Sequence, residues 1–250
     1  MSDPVHVQVV LEGPVLRIVI DRPAKKNALT LAMYTAMAEA LEQAAANADL
    51  RAVLFTSSSG AFTAGNDLGD FLKVPPTSGD TPVVRFLRAL MACPLPVVAA
   101  VDGAAVGVGV TMLLHCDLVV ATDRARFSMP FTKLGLVPEA ASSFLLPALV
   151  GRQRASAWLL LGQPFDAAEA LAAGLVGRVV APDQLAAVTD GLLAELAALP
   201  PQAMRQTKQL IGDGTRAATQ AAFDRELGIF VERLRSPETF AAITAFMTKR

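Results

Sequence analysis

Residues 96–122 read PVVAAVDGAAVGVGVTMLLHCDLVVAT, and the fold turns on how this stretch divides. The run from Val97 to Leu114 is apolar enough to suggest a membrane-spanning helix. Pro96, Asp102 and the glycines at 103, 107 and 109 interrupt it, which favours a different division. That division is a buried strand at Val97–Val101, a glycine-rich turn, a helix near Val108–His115 and a second strand at Leu118–Ala121. Strands alternating with helices point to an α/β core.

The flanking chain extends the pattern. Val5–Leu11 and Val15–Ile20 read as a hairpin joined at Glu12-Gly13-Pro14, with Leu16, Ile18 and Ile20 alternating with Arg17 and Val19. Thr30 is placed to cap a helix running to about Ala46, with Leu31, Tyr34, Ala38 and Leu41 on one face. Ala52–Thr56 is a short strand, and Ser57–Gly60 is a turn. Two prolines and a Gly-Asp pair predict a loop over Lys73–Thr81. A helix follows from about Pro82 to Met91, and Phe127 begins another short strand. Strand–strand–helix units recur loosely, without an exact sequence repeat.

From Ser142 onward the chain reads as mainly helical, Val176–Val180 excepted. Pro200-Pro201 marks a boundary between a core of residues 1–200 and a helical region of residues 201–250. In that region Phe223, Leu227, Phe230, Val231 and Leu234 form an apolar stripe. Ser236-Pro237-Glu238 is a helix start, carrying a cap, a proline at the first helical position and an early acid. Phe240, Ile243, Phe246 and Met247 are expected along one side of the final helix.

Three segments carry chemistry. In Ala61–Leu68, AFTAGNDL, Gly65 permits close backbone approach and the next N–H belongs to Asn66. In Gly103–Thr111, GAAVGVGVT, Gly107 and Gly109 bracket Val108, whose N–H opens a helix. Two N–H groups meeting on one oxygen form an oxyanion hole. Gly135–Ser143, GLVPEAASS, offers one carboxylate, Glu139. Its place before a helix would steady the anion, while Leu136, Val137 and Phe131 would desolvate it and raise its pKa. An oxyanion hole with one base suits proton chemistry beside a thioester carbonyl. Each segment also has a plainer use: glycines in tight turns, Glu139 as a first-turn helix residue.

Composition narrows the classes. Of 250 residues, 53% are apolar and the formal net charge is −1, so no basic surface for nucleic acid is implied. Arg22, Lys25 and Lys26 form at most a local patch. Gly-x-Gly at 107–109 lacks the full spacing of a dinucleotide loop. Cys93 and Cys116 fit no metal motif and read as buried reduced thiols. His115, after an apolar run, reads as a structural histidine. The N-terminus lacks a basic, then apolar, signal pattern, and the C-terminal Thr-Lys-Arg is no peroxisomal address. The cytoplasm is the expected compartment, with no membrane partner.

Four segments together resemble the crotonase, or enoyl-CoA hydratase/isomerase, family: DRPAKKNAL at 21–29, FTAGNDL at 62–68, residues 96–122, and AFMTKR at 245–250. The resemblance covers nearly the whole chain. It implies a spiral of ββα units followed by a C-terminal helical trimerisation region, and an acyl-CoA thioester as substrate. By motif position the oxyanion donors are the N–H groups of Asn66 and Val108. The coenzyme A adenine is implied near Ala64, Gly65, Asp67 and Leu68, with Lys25 and Lys26 near the phosphates. Asp67 can also serve as the cap of the next helix. Phe246 and Lys249 match a C-terminal Phe-x-x-Lys that reaches the nucleotide of a neighbouring subunit. No separate cofactor and no metal are implied, because coenzyme A is part of the substrate. A homotrimer or dimer of trimers is implied as well.

Hydratases of the family carry two catalytic glutamates. Their positions correspond here to Thr111 and Phe131, neither of which is an acid or base at neutral pH. The setting of Glu139 instead resembles that of the catalytic glutamate in the peroxisomal type of Δ3,Δ2-enoyl-CoA isomerase. The implied reaction is a 1,3-proton shift from C2 to C4 by one carboxylate. The alternatives are a hydratase or other thioester reaction using Glu139 differently, and a non-catalytic acyl-CoA-binding protein.

Overall fold

In the computed structural model, which describes residues 5–73 and 81–248, the chain opens with the expected hairpin. Strand β1 (Val7–Glu12) pairs antiparallel with β2 (Val15–Ile20). Leu16, Ile18 and Ile20 are buried while Arg17 and Val19 are only partly covered, the period of a strand with one packed face. Helix α1 (Leu31–Ala46) starts where the Thr30 hydroxyl accepts the Met33 N–H, and it buries Tyr34, Ala38 and Leu41. Next come β3 (Ala52–Ser57) and β4 (Ala61–Thr63), then α2 (Leu68–Lys73) and α3 (Pro82–Ala92). The expected loop at Lys73–Thr81 is narrower at both ends. Lys73 closes α2 and the Thr81 hydroxyl caps α3; positions 74–80 lie outside the described residues.

The stretch that opened the analysis divides as read. Every residue of β5 (Val97–Val101) is buried, and β6 (Ala104–Val106) leads into α4 (Val108–Thr111). The single helix expected to His115 is one α turn that tightens into a 3-10 turn over Met112–His115, closed by Cys116 N–H on Leu113 O. Strands β7 (Leu118–Thr122) and β8 (Arg126–Ser128) follow. Helices α5 (Ser142–Val150) and α6 (Arg152–Leu160) then precede the two-residue β9 (Phe165–Asp166), α7 (Ala167–Ala172), β10 (Arg178–Val180) and α8 (Leu185–Ala198).

Two sheets result. The larger has the order β1-β2-β3-β5-β7-β10, the smaller β4-β6-β8-β9. Each strand–strand–helix unit adds one parallel strand to the large sheet (β3, β5, β7) and one to the small (β4, β6, β8). This is the spiral of ββα units. The main core fills the space between the sheets and α1, α3 and α5. A second, small core joins Leu193 of α8 to Leu54 and Val98 on the other face of the large sheet.

The C-terminal residues form α9 (Pro201–Asp213), α10 (Arg216–Leu234) and α11 (Pro237–Thr248). The expected stripe on α10 is in place: Phe223 and Phe230 are buried, and Leu227 and Leu234 pack against the core. On α11 the expected side is corrected. Ile243 is buried but Phe240, Phe246 and Met247 are exposed. The buried side runs through Thr239 and Ile243, four residues apart, because Thr239 is seated on Gly135 and donates its hydroxyl to the Gly135 carbonyl at 2.9 Å.

Candidate active site

Asn27 explains why residues 21–29 and 61–68 belong together. It is fully buried with φ 58°. Its carboxamide accepts the Arg22 N–H (2.7 Å) and donates to Ala61 O (2.6 Å), and its carbonyl accepts the Thr63 hydroxyl (2.7 Å). Around this hub, Leu29 N–H donates to Gly65 O (2.8 Å), Asp67 N–H to Leu29 O (2.8 Å) and Ala64 N–H to Lys26 O (3.0 Å). The Arg22 guanidinium pairs with Asp67 at 2.6 Å. The other Asp67 oxygen accepts the N–H groups of Gly69 and Asp70 at the start of α2, so the capping role read for Asp67 is present. Its pKa is lowered: burial opposes the shift, and the Arg22 bond with the two backbone donors outweighs it.

Parallel pairing of β4 with β6 brings the two glycine segments side by side. Gly65 has φ +86°, and a Cβ there would stand 2.9 Å from the Val106 carbonyl oxygen. A Cβ on Gly109 would stand 2.5 Å from Thr63 Cγ2. The close backbone approach expected at Gly65 is thus an approach to β6. Asn66 follows β4 and Val108 follows β6, so their N–H groups leave neighbouring strand ends. Among the described residues, no oxygen accepts the N–H of either. The Val108 N–H is the first free donor of α4.

Glu139 lies beyond a 3-10 turn at Thr132–Leu134, in the irregular residues 136–139 after Gly135. It is buried, and its Oε1 has no partner among the described residues. Burial pushes its carboxyl up to about 8, and the nearby Glu226 carboxylate adds to the rise. With Ala140 it lines a pocket with room of about 30 Å³, space for about two water molecules. Val83, Val84 and Leu87 of α3 and Phe223, Leu227 and Phe230 of α10 form the walls. The desolvating groups along this pocket therefore come from distant segments.

The first-turn reading of Glu139 is overturned. Ala140 and Ala141 both adopt left-handed backbone (φ 59° and 58°) and separate Glu139 from α5. The donor at the start of α5, Ser143 N–H, is taken instead by Glu226 Oε1 at 2.8 Å. The helix end steadies Glu226, and Glu139 keeps its raised pKa. Two successive non-glycine residues in this region store roughly 1–2 kcal/mol each beside the carboxylate.

Neither Tyr34 nor Glu226 is singled out as a functional residue by the sequence reading. Tyr34 is an ordinary helical core position, yet its hydroxyl donates to the Asn66 carboxamide oxygen. Its pKa is raised by burial and by the charge of Glu139. Glu226 falls on an apolar face at Phe223, Leu227 and Phe230, and a charge at such a position was the available hint.

The remaining candidates are dispersed. Lys25 and Lys26 are exposed on the loop held against Ala64. Leu68 is the first residue of α2. Phe246 is half-exposed on α11, and Lys249 lies outside the described residues. Thr111 and Phe131 are buried, and the Thr111 hydroxyl has no partner among the described residues. His115 places Nε2 2.8 Å from Ala140 O, and burial lowers its pKa, in keeping with a structural role. Cys93 and Cys116 are free thiols raised by burial. Among the described residues no helix is long and apolar enough to cross a membrane.

Comparison with known proteins identifies relatives of the chain. The profile of the enoyl-CoA hydratase/isomerase family matches residues 11–250. The chain is 35% identical over 250 residues to enoyl-CoA delta isomerase 2 of Rattus norvegicus, covering 98% of itself and 64% of the rat protein. It thus spans just under two thirds of that relative's length. It is 34% identical to 1,2-epoxyphenylacetyl-CoA isomerase of Escherichia coli K12, covering 96% of itself and 94% of that protein. The crystal structure of an enoyl-CoA hydratase/isomerase from Pseudoalteromonas atlantica T6c matches with a TM-score of 0.93 at 46% identity, covering 98% of both chains.

Proposed function

The chain belongs to the enoyl-CoA hydratase/isomerase family, and from that premise we propose that it converts a 3-enoyl-CoA to a 2-trans-enoyl-CoA, with Glu139 as the sole proton carrier. The observation that carries this reading is one buried carboxylate with an unpartnered oxygen on an apolar pocket, while Thr111 and Phe131 stand where a hydratase would hold its two glutamates. Adding water calls for a pair of groups to hold and split it. Moving a double bond calls for one group that is base and then acid.

In the proposed reaction the ionised Glu139 removes a proton from C2. The electron pair delocalises through the C3–C4 double bond side of the substrate and onto the thioester oxygen, which accepts hydrogen bonds from the Asn66 and Val108 N–H groups. Protonated Glu139 then returns the same proton at C4, and the double bond is left between C2 and C3. No atom is gained or lost. Each oxyanion donor is worth roughly 2.7–4 kcal/mol in the transition state. A carboxyl held near 8 suits both halves, since it is a stronger base than an exposed glutamate and still donates readily once protonated.

The rest of the substrate site is proposed on the family resemblance. Lys25 and Lys26 face the coenzyme A phosphates, and residues 64–68 hold the adenine. Phe246 and Lys249 reach the nucleotide of a neighbouring copy in a homotrimer or dimer of trimers, in the cytoplasm. The C-terminal region serves oligomerisation and covers the pocket, a role supported by Phe223 and Phe230 in the pocket wall.

The test is turnover of 3-hexenoyl-CoA and of 2-hexenoyl-CoA by the wild type and by Glu139→Gln. Conversion of the 3-enoyl to the conjugated 2-enoyl thioester, lowered at least about 1,000-fold by the substitution, is expected. Hydration without isomerisation would replace the reading with a hydratase. Tight binding without turnover of either substrate would replace it with an acyl-CoA-binding protein.

A further inference from the structure

We infer that Glu226 is a positioning residue for Glu139: from the C-terminal helices it fixes the turn that carries Glu139 and brings a second buried carboxylate into the same region. The inference rests on the reading of Glu139 as the base. It begins with how the segment from Gly135 to Ser143 is held at both ends by the C-terminal region. At the leading end, the Gly135 carbonyl accepts the Arg233 Nε–H (2.8 Å) and the Thr239 hydroxyl (2.9 Å). At the trailing end, Glu226 Oε1 accepts the Ser143 N–H (2.8 Å). Between the two clamps lie Glu139 and two alanines in left-handed backbone.

That backbone needs a partner from outside. Ala141 stands at the N-cap position of α5 and its methyl side chain cannot accept a hydrogen bond. The Ser143 N–H in the first turn is therefore capped by a carboxylate 83 residues later in the chain. Losing it would take this partner from the Ser143 N–H and loosen the strained turn. Glu226 is itself buried, and its second oxygen, Oε2, has no partner among the described residues. Two buried carboxylates, each with one unsatisfied oxygen, thus share one region. Glu226 does not line the pocket, so it acts through Glu139.

The charged and titratable groups around the pair are few. Tyr34 on α1 feels the charge of Glu139, and His115, its pKa lowered by burial, touches Ala140 O. Arg225 on α10 favours ionised Glu226. Arg88 on α3 pairs with Asp224. Burial raises Glu226, and its partners at Ser143 and Ala141 oppose that rise.

The test is a carbon-13 titration of the Glu139 carboxyl in the full chain, its resonance assigned by loss in Glu139→Gln. In Glu226→Gln the amide oxygen still accepts from Ser143, so the fold is retained while the charge is removed. The Glu139 midpoint is expected to fall by about half a pH unit or more. In Glu226→Ala the cap is lost too, and kcat on 3-hexenoyl-CoA is expected to drop at least about tenfold with KM nearly unchanged. A Glu139 midpoint unmoved in Glu226→Gln overturns the inference, whether or not Glu226→Ala folds. The titration requires no turnover, so its result stands apart from the outcome of the isomerase assay.

Discussion

Glu139 lowers the stability of the protein that carries it, and the cost depends on pH. The unfolded chain releases this proton near the ordinary carboxyl value of 4.5, whereas the folded chain holds it to about 8. Between those values the unfolded state binds fewer protons, so folding stability falls as pH rises through the window. Glu139→Gln lacks this proton. Urea unfolding at pH 5 and pH 8.5 is expected to find the variant gaining on the wild type by a few kcal/mol (roughly 1.4 kcal/mol per pH unit of the window). Equal pH dependence in the two proteins would mean that the carboxyl is not held protonated. The same ionisation governs the proposed chemistry, so wild-type kcat/KM is expected to climb toward a plateau as pH passes about 8. Single residues were legible to different degrees. Asn66, Val108 and Glu139 were marked by their neighbours in sequence. Tyr34 and Glu226 were not, because their roles come from what folds against them.

Among the elements, the junction of β4 and β6 is the most exacting. Gly65 has both a left-handed backbone and a carbonyl oxygen 2.9 Å from where a methyl would go. Neither can relax by rotating a side chain. Gly65→Ala is expected to lose roughly 1–3 kcal/mol in urea unfolding and more than tenfold in kcat, because the Asn66 N–H moves with it. Gly214→Ala, where a Cβ meets nothing within 4 Å, is the matched control and is expected to change neither. Elements with local causes were legible: the hairpin by alternation, α1 by its Thr30 cap, β5 by its apolar run. The placement of Glu139 relative to α5 was not. Acid-Ala-Ala-Ser before an apolar run reads as a first helical turn, whereas long-range partners, the Glu226 carboxylate on Ser143 and His115 on the Ala140 carbonyl, hold the left-handed turn observed instead.

For the whole molecule, the C-terminal helices leave apolar surface uncovered. Leu210 and Ile211 on α9 and Phe240 on α11 are each more than 60% exposed. Surface of this kind favours association. Light scattering on the eluted protein is expected to give three or six times the mass of one chain; a monomer at micromolar concentration would remove the trimer proposed on family resemblance.

The amino-acid order by itself determined the alternating strands and helices of an α/β core and the two glycine segments, while the ββα spiral and the missing hydratase carboxylates were implied by the family resemblance. The strands and helices depend on local periodicity, which acts within a few residues. Tertiary structure alone decided how Glu139 is held, what raises its pKa, and which residues wall its pocket. The reason is range. Desolvation and like-charge repulsion act through space, and here they arise from α3 and α10, which are close to Glu139 only once the C-terminal helices have closed over it.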